Sequence, residues 1–234
     1  MWVGSYASLA LDVSGSPHIA YYDAGNGDLL YAYLDAGDWQ VVRADTGITD
    51  DVGRFVSLAL DSAGRPHISH YNATTATLRY AYWDGTGWTI EVVDGTGLVG
   101  LYTSIATDGN DRPHIAYYRE DTADLRHAYR EGGAWDYESV EEVNDAGHYA
   151  SLAIGPEGEL AISYLHVNVG TPLLCVAESA GEGWTKEVVD RVGKVGQYAS
   201  LALDADDNAW VAYYDAANWD LKAARSSGEN WTNW

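Results

Sequence analysis

At five points of the chain an aromatic residue stands two places after a glycine and two places before a serine. These aromatics are Tyr6, Phe55, Tyr102, Tyr149 and Tyr198, and the serines are Ser8, Ser57, Ser104, Ser151 and Ser200. Ring faces beside hydroxyls suit a small polar ligand, a sugar ring above all, because an amphipathic ring packs on the apolar side while hydroxyls and carboxylates exchange hydrogen bonds with the other. The same residues also suit packing, with the rings as wedges and the serines as small spacers that permit close approach. A second group follows each "YY"-type stretch: Asp23, with Asn72, Arg119, His166 and Asp215 at the corresponding places and Trp219 nearby in the last copy. This position changes chemistry from copy to copy, as either a solvated loop or an asymmetric binding surface would.

Histidines form a third pattern. His18, His67 and His114 each lie six residues after Asp12, Asp61 or Asp108 and directly after a proline. The fourth copy has Gly155 and Ala161 at these places and so loses both partners together. The pattern predicts that each aspartate accepts backbone hydrogen bonds in a tight turn and that the histidine bonds to the same turn. A three-histidine metal site would need these rings to converge on one point. No G-x-S-x-G, H-E-x-x-H or phosphate-cradling loop occurs, and "DADDN" at 204–208 matches calcium-loop spacing poorly. No cofactor and no metal is expected. Cys175 is the single cysteine and sits in "PLLCVA", which suits an inert core thiol.

The spacing of these groups is set by a repeat. "SLALDVSGSPHIAYYD" returns as "SLALDSAGRPHISHYN" and "SIATDGNDRPHIAYYR", and the copies start at Val3, Val52, Val99, Ala146 and Val195. A fixed period of this size means a modular array. Each copy holds four short runs rich in Leu, Val, Ile, Tyr and Trp, bounded by Gly, Asp or Asn, and no window has helical periodicity. The prediction is an all-β, five-bladed β-propeller with four antiparallel strands per blade, one domain over residues 1–234. Each last strand opens on a tryptophan, Trp39, Trp88, Trp135, Trp184 or Trp231, a recurrence that points to packing between blades. Strand alternation puts Ser8 and Ala10, and their counterparts, on one face of the innermost strand. Only three residues follow Trp231, so the fifth outer strand is predicted to be short, an edge able to recruit another copy of the chain.

The "SLALD-x-x-G-x-PHI-x-YY" repeat resembles tandem propeller repeats of bacterial, often surface-associated, proteins, and the resemblance covers essentially the whole chain. It implies an extracellular or cell-surface setting and no particular activity. In architecture alone it is similar to five-bladed tachylectin-2-like lectins and to arabinanase-type glycosidases; the sialidase Asp-box is absent. Charge narrows the partners: 35 acidic against 13 basic residues give a net charge of −22, which repels nucleic acid and anionic membrane. The expected function is a non-catalytic binding module for a carbohydrate or small polar ligand on the face where the Tyr6-type rings and the Asp23-type loops emerge. The alternatives are a glycoside hydrolase or lyase, with Asp23, Glu120, Asp215 and Asp220 as the carboxylates on that face, and a structural spacer. Aromatic-lined sites between blades would favour the lectin reading.

Overall fold

The structure is a computed structural model that describes residues 3–180, 183–228 and 230–234. It is all-β, with five four-stranded antiparallel sheets that are the blades of a β-propeller. The first sheet comprises β1 (Val3–Leu11), β2 (Pro17–Asp23), β3 (Asp28–Asp35) and β4 (Asp38–Asp45); the second β5 (Val52–Leu60), β6 (Pro66–Asn72), β7 (Thr77–Trp83) and β8 (Trp88–Asp94). The third holds β9 (Val99–Thr107), β10 (Pro113–Arg119), β11 (Asp124–Glu131) and β12 (Ala134–Glu141). The fourth holds β13 (Asp145–Ile154), β14 (Leu160–Asn168), β15 (Thr171–Ala180) and β16 (Gly183–Asp190), and the fifth β17 (Gln197–Leu203), β18 (Ala209–Asp215), β19 (Asp220–Ser227) and β20 (Asn230–Asn233). Strand order within every sheet follows the chain. β20 is four residues long, half the length of β16, as the sequence led us to expect.

The chain divides into two compact units, Met1–Ile115 with Tyr129–Trp135, and Ala116–Ala128 with Asp136–Trp234. In the first, Ala20, Leu29, Tyr31, Val56, Leu58 and Ile68 form a core between consecutive sheets. In the second, Leu174, Val176, Val195, Leu201, Val211 and Tyr213 do the same. Alternation along the strands explains the composition of both: one side chain in two faces a neighbouring sheet.

The glycine–aromatic motif is a β-bulge. In β1 the register with β2 slips between Val3 and Ser8, and in β5 it slips between Val52 and Ser57. Tyr6, Phe55, Tyr102, Tyr149 and Tyr198 all sit in the left-handed region, with φ between 51° and 55°. Such a conformation costs a non-glycine residue ~1–2 kcal/mol, so packing must offset it at each recurrence. A bulge re-aims a side chain, here the aromatic ring.

The turns carry their aspartates as expected. Asp12 accepts N–H bonds from Ser14 and Ser16, both at 2.8 Å; Asp61 from Ala63 and Arg65; and Asp108 from Asn110 and Arg112. The histidines differ from expectation. Their Nε2 atoms stand 3.7, 3.5 and 3.8 Å from these carboxylates, too far for a good hydrogen bond. For His18 and His67 the strong bond runs from Nδ1 to the phenol of Tyr31 or Tyr80 on the next strand. Register is the reason: His18 pairs with Tyr33, which leaves Tyr31 as its diagonal neighbour on the same face.

One buried histidine yields a pH prediction. His70 replaces the tyrosine found at this place in the other copies, Tyr21, Tyr117, Tyr164 and Tyr213. It is fully buried, takes the Gly53 N–H on Nδ1, and faces the Asp45 carboxylate at 3.6 Å. Burial, aided by the Arg79 guanidinium, holds its pKa down to about 3. The folded state therefore binds fewer protons than the unfolded state, and stability falls as pH drops from about 6.5 towards 3. Asp45, raised by burial and flanked by Asp50 and Asp28, works in the opposite sense over the carboxylate range. Urea unfolding at pH 7 and pH 4 should show a His70→Tyr variant relieved of up to ~3 kcal/mol of acid destabilisation. An unchanged pH slope would contradict the assignment.

Candidate functional site

Two clefts in the first compact unit are built to one plan, one repeat apart. The larger, about 450 Å³, lies between the first and second sheets and is lined by His18, Tyr31, Tyr33 and Val42 of the first, and by Gly64, Arg65, Pro66, Trp83 and Trp88 of the second. The smaller, about 290 Å³, lies between the second and third sheets. There His67, Tyr80 and Tyr82 stand where His18, Tyr31 and Tyr33 stand in the first, and Asp111, Arg112 and Pro113 replace Gly64, Arg65 and Pro66.

Each wall follows from the repeat. Strand alternation puts Tyr31 and Tyr33 on one face of β3, where they stack with ring centroids 5.5 Å apart. His18 lies nearly parallel to Tyr33, which extends the aromatic wall. Trp88 closes the far side and meets Tyr31 edge-on at 5.4 Å, with Trp83 against it at 5.8 Å. Arg65, the residue before the turn proline, is held at the rim by its Nε–H bond to Asp61 Oδ2 at 2.6 Å, and its guanidinium lies over Tyr82. The product is an apolar, ring-lined slot with a fixed cation at its mouth.

Trp88 differs in one respect from three of its counterparts, Trp135, Trp184 and Trp231. Trp135 donates its indole N–H to Glu91 at 2.7 Å, Trp184 to Glu138 at 3.0 Å and Trp231 to Glu187 at 3.0 Å. The residue of the preceding sheet that would accept from Trp88 is Val42. Among the described residues the Trp88 indole N–H has no acceptor, and it belongs to the cleft lining. In the second cleft the same places hold Glu91 and Arg130, which pair at 3.0 Å and make that cleft smaller and more polar.

Burial pushes the Tyr31 and Tyr80 phenols far above their ordinary range and lowers His67. Asp12 is held below the carboxylate range by the Ser16 N–H. Burial works to raise Asp61 and Asp108, but hydrogen bonds from Arg65 and from Arg112 outweigh it and keep both low. A glycosidase acid needs a carboxyl held up. Among the described residues, no three or more His, Cys, Asp or Glu side chains are grouped to hold a metal ion. Burial pushes the Cys175 thiol up to about 12, so it stays protonated.

The residues singled out from sequence lie elsewhere. In the first unit Tyr6, Phe55 and Tyr102 form a row with centroids 4.8 and 4.9 Å apart; in the second, Tyr149 and Tyr198 pair at 4.6 Å. Tyr6 and Tyr198 are exposed and the other three half-buried. The serine hydroxyls bind backbone: Ser8 Oγ accepts the Leu58 N–H, Ser57 Oγ the Ile105 N–H and Ser151 Oγ the Leu201 N–H, each at 3.0–3.1 Å. Ser104 is half-buried and Ser200 exposed. Asp23 turns inward to cap its own loop through Gly25 and Asn26, as Asn72 does through Thr74 and Thr75, and Asp215 through Ala217 and Asn218. Arg119 pairs bidentately with Asp121, His166 contacts the Cys175 sulfur at 3.8 Å, and Trp219 projects into solvent. Sequence reasoning took the outer-strand tryptophans as packing residues and passed over Arg65. The signal that marks the clefts was the arginine in "GRPHI" and "DRPHI" together with a missing glutamate opposite Trp88.

No protein-family profile matches the chain, and no curated protein matches it in sequence. Solved structures do. A protein of unknown function from Dyadobacter fermentans aligns with a TM-score of 0.72 at 12% identity, over 97% of this chain and 79% of that one. The Aleuria aurantia lectin in complex with alpha-methyl-L-fucoside aligns at 0.68 and 15% identity, over 97% and 76%, and that lectin is a six-bladed β-propeller. A polysaccharide lyase of the ulvan lyase type aligns at 0.64 and 14% identity, over 95% and 69%. At these identities the likeness is one of fold.

Proposed function

We propose that this protein is a non-catalytic carbohydrate-binding module whose ligand, a small saccharide, enters the cleft between the first and second sheets. The observation that carries the reading is the cleft itself, with stacked Tyr33 and Tyr31 rings, Trp88 edge-on to Tyr31, Arg65 at the rim and an indole N–H with no acceptor among the described residues. A pyranose meets those features in turn: its C–H face lies on the rings, and a ring hydroxyl accepts from Trp88 Nε1 while others take the guanidinium N–H groups. A propeller of known ligand, the Aleuria aurantia lectin, is bound to a fucoside in its structure, which makes fucosides the first ligands to try. The aromatic row and its serines offer less, since three of the serine hydroxyls already accept backbone N–H groups. Hydrogen bonds hold the turn aspartates Asp12 and Asp61 low, which favours binding over a hydrolase acid at these turns.

The test is a titration of the full chain with a panel of monosaccharides, fucosides included, read by tryptophan fluorescence. At least one sugar should give a saturable change. A panel without any response, repeated on an array of longer glycans, would sink the proposal; sugar consumed with release of product would replace it with an enzyme.

A further inference from the structure

The second cleft keeps the aromatic wall of the first and changes what surrounds it. Tyr80 and Tyr82 are parallel to within 8°, His67 lies 4.7 Å from Tyr82, and Trp135 meets Tyr80 edge-on at 5.0 Å. The whole lining belongs to the first compact unit. Around the wall stand three arginines, Arg65, Arg112 and Arg130. Arg65 lines both clefts, so the two adjoin. Arg130 takes the place that Trp83 holds in the first cleft, which exchanges a ring for a cation. In a chain with 13 basic residues against 35 acidic ones, three guanidinium groups in one cleft are not general solvation.

The hydrogen bonds of this cleft do not balance. Its two carboxylates are spent. Asp61 Oδ1 accepts the Ala63 and Arg65 N–H groups, and Oδ2 accepts the Arg65 Nε–H. Asp111 takes the N–H and the hydroxyl of Ser62. The guanidinium groups are only part-used. Arg65 donates from Nε alone. Arg112 gives Nε and Nη2 to Asp108, while its Nη1 stands 3.9 Å from Glu131, beyond hydrogen-bond reach. Arg130 uses Nη2 on Glu91 and on the Gly133 carbonyl. Both Nη atoms of Arg65, Nη1 of Arg112, and Nε and Nη1 of Arg130 therefore have no acceptor among the described residues. His67 adds a buried Nε2 with no hydrogen-bond partner among them. Surplus donors from three planar cations beside spent carboxylates match an acceptor-rich, negatively charged group.

We infer that the second cleft binds an oxyanion carried on a sugar ring, the carboxylate of a uronic acid or a sulfate ester, so that the ligand of the two adjoining clefts is an acidic saccharide. The ring lies on the His67 and Tyr82 wall, as a neutral ring does on His18 and Tyr33, and the oxyanion takes the unspent guanidinium N–H groups. The choice of a saccharide rests on the reading of the first cleft; the donor surplus stands without it.

Calorimetry at constant ionic strength tests this with four probes: methyl glucuronide, glucose 6-sulfate, the neutral methyl glucoside, and sodium sulfate as the free ion. At least one acidic sugar should bind about tenfold or more tighter than both methyl glucoside and sulfate. Arg130→Gln and Arg112→Gln should each erase that preference, with melting curves showing that the fold is kept; the second variant guards against misfolding of the first. An acidic sugar that binds while neutral sugars give no response would support this inference and sink the first-cleft reading. Neutral sugars that bind as tightly as acidic ones would overturn this inference and leave the first-cleft reading intact. A preference that survives in both variants, or sulfate binding as tight as that of the acidic sugars, would also overturn it.

Discussion

A Gly100→Ala variant should lose about 4 kcal/mol of stability, whereas Gly4→Ala should lose only about 1–2 kcal/mol. The two glycines occupy the same motif with similar backbone, φ 104° and 93°, so the conformational cost of adding a methyl group is shared. They differ in what the methyl group meets. At Gly100 it arrives 2.8 Å from Leu78 Cα, a backbone atom that cannot swing aside, so the second and third sheets must part. At Gly4 it meets nothing within 4 Å. The difference, ~2–3 kcal/mol, is the cost of overpacking one sheet-to-sheet contact. For a chain of this size it should appear as a gap of roughly 5–10 °C between the two melting temperatures. Equal losses would mean that strain in the bulge, and not the approach of the next sheet, is what requires glycine.

Trp88→Phe should weaken saccharide binding at least tenfold, about 1.4 kcal/mol, without a comparable loss of stability. Phenylalanine keeps an aromatic edge towards Tyr31 and removes an indole N–H that, unlike those of Trp135, Trp184 and Trp231, has no glutamate. Arg65→Gln should weaken binding to a similar extent by taking away the cation at the rim. The same change at Trp184, whose N–H is spent on Glu138, should leave affinity where it was. Calorimetry on the three variants separates the cleft from general packing: equal losses in all of them would show that tryptophan matters only as a wedge between sheets.

The fold was legible because its determinants are local and recur. Aspartate opens each tight turn, a tryptophan opens each outer strand, and the alternation of apolar residues has the strand period; the sheets and most turn bonds followed from these. The site was less legible because its walls come from different repeats. Tyr33 and Arg65 are far apart in the chain, and nothing near either of them says that they share a cleft. The histidine bond was misplaced for a similar reason, since Tyr31 lies 13 residues from His18 and only strand register makes them neighbours. The serine motif was ambiguous as sequence because its partner is a backbone N–H of the next copy, which carries no side-chain signature.

The most direct test of carbohydrate binding in the first cleft is the indole N–H spectrum of the 234-residue chain labelled with nitrogen-15, titrated with the saccharide found by fluorescence. The Trp88 indole signal, assigned through the Trp88→Phe variant, should shift progressively and saturably. Those of Trp135, Trp184 and Trp231, already bonded to glutamate, should stay in place. A stationary Trp88 signal beside a moving Trp219 signal would contradict the account and place the ligand on the opposite loops.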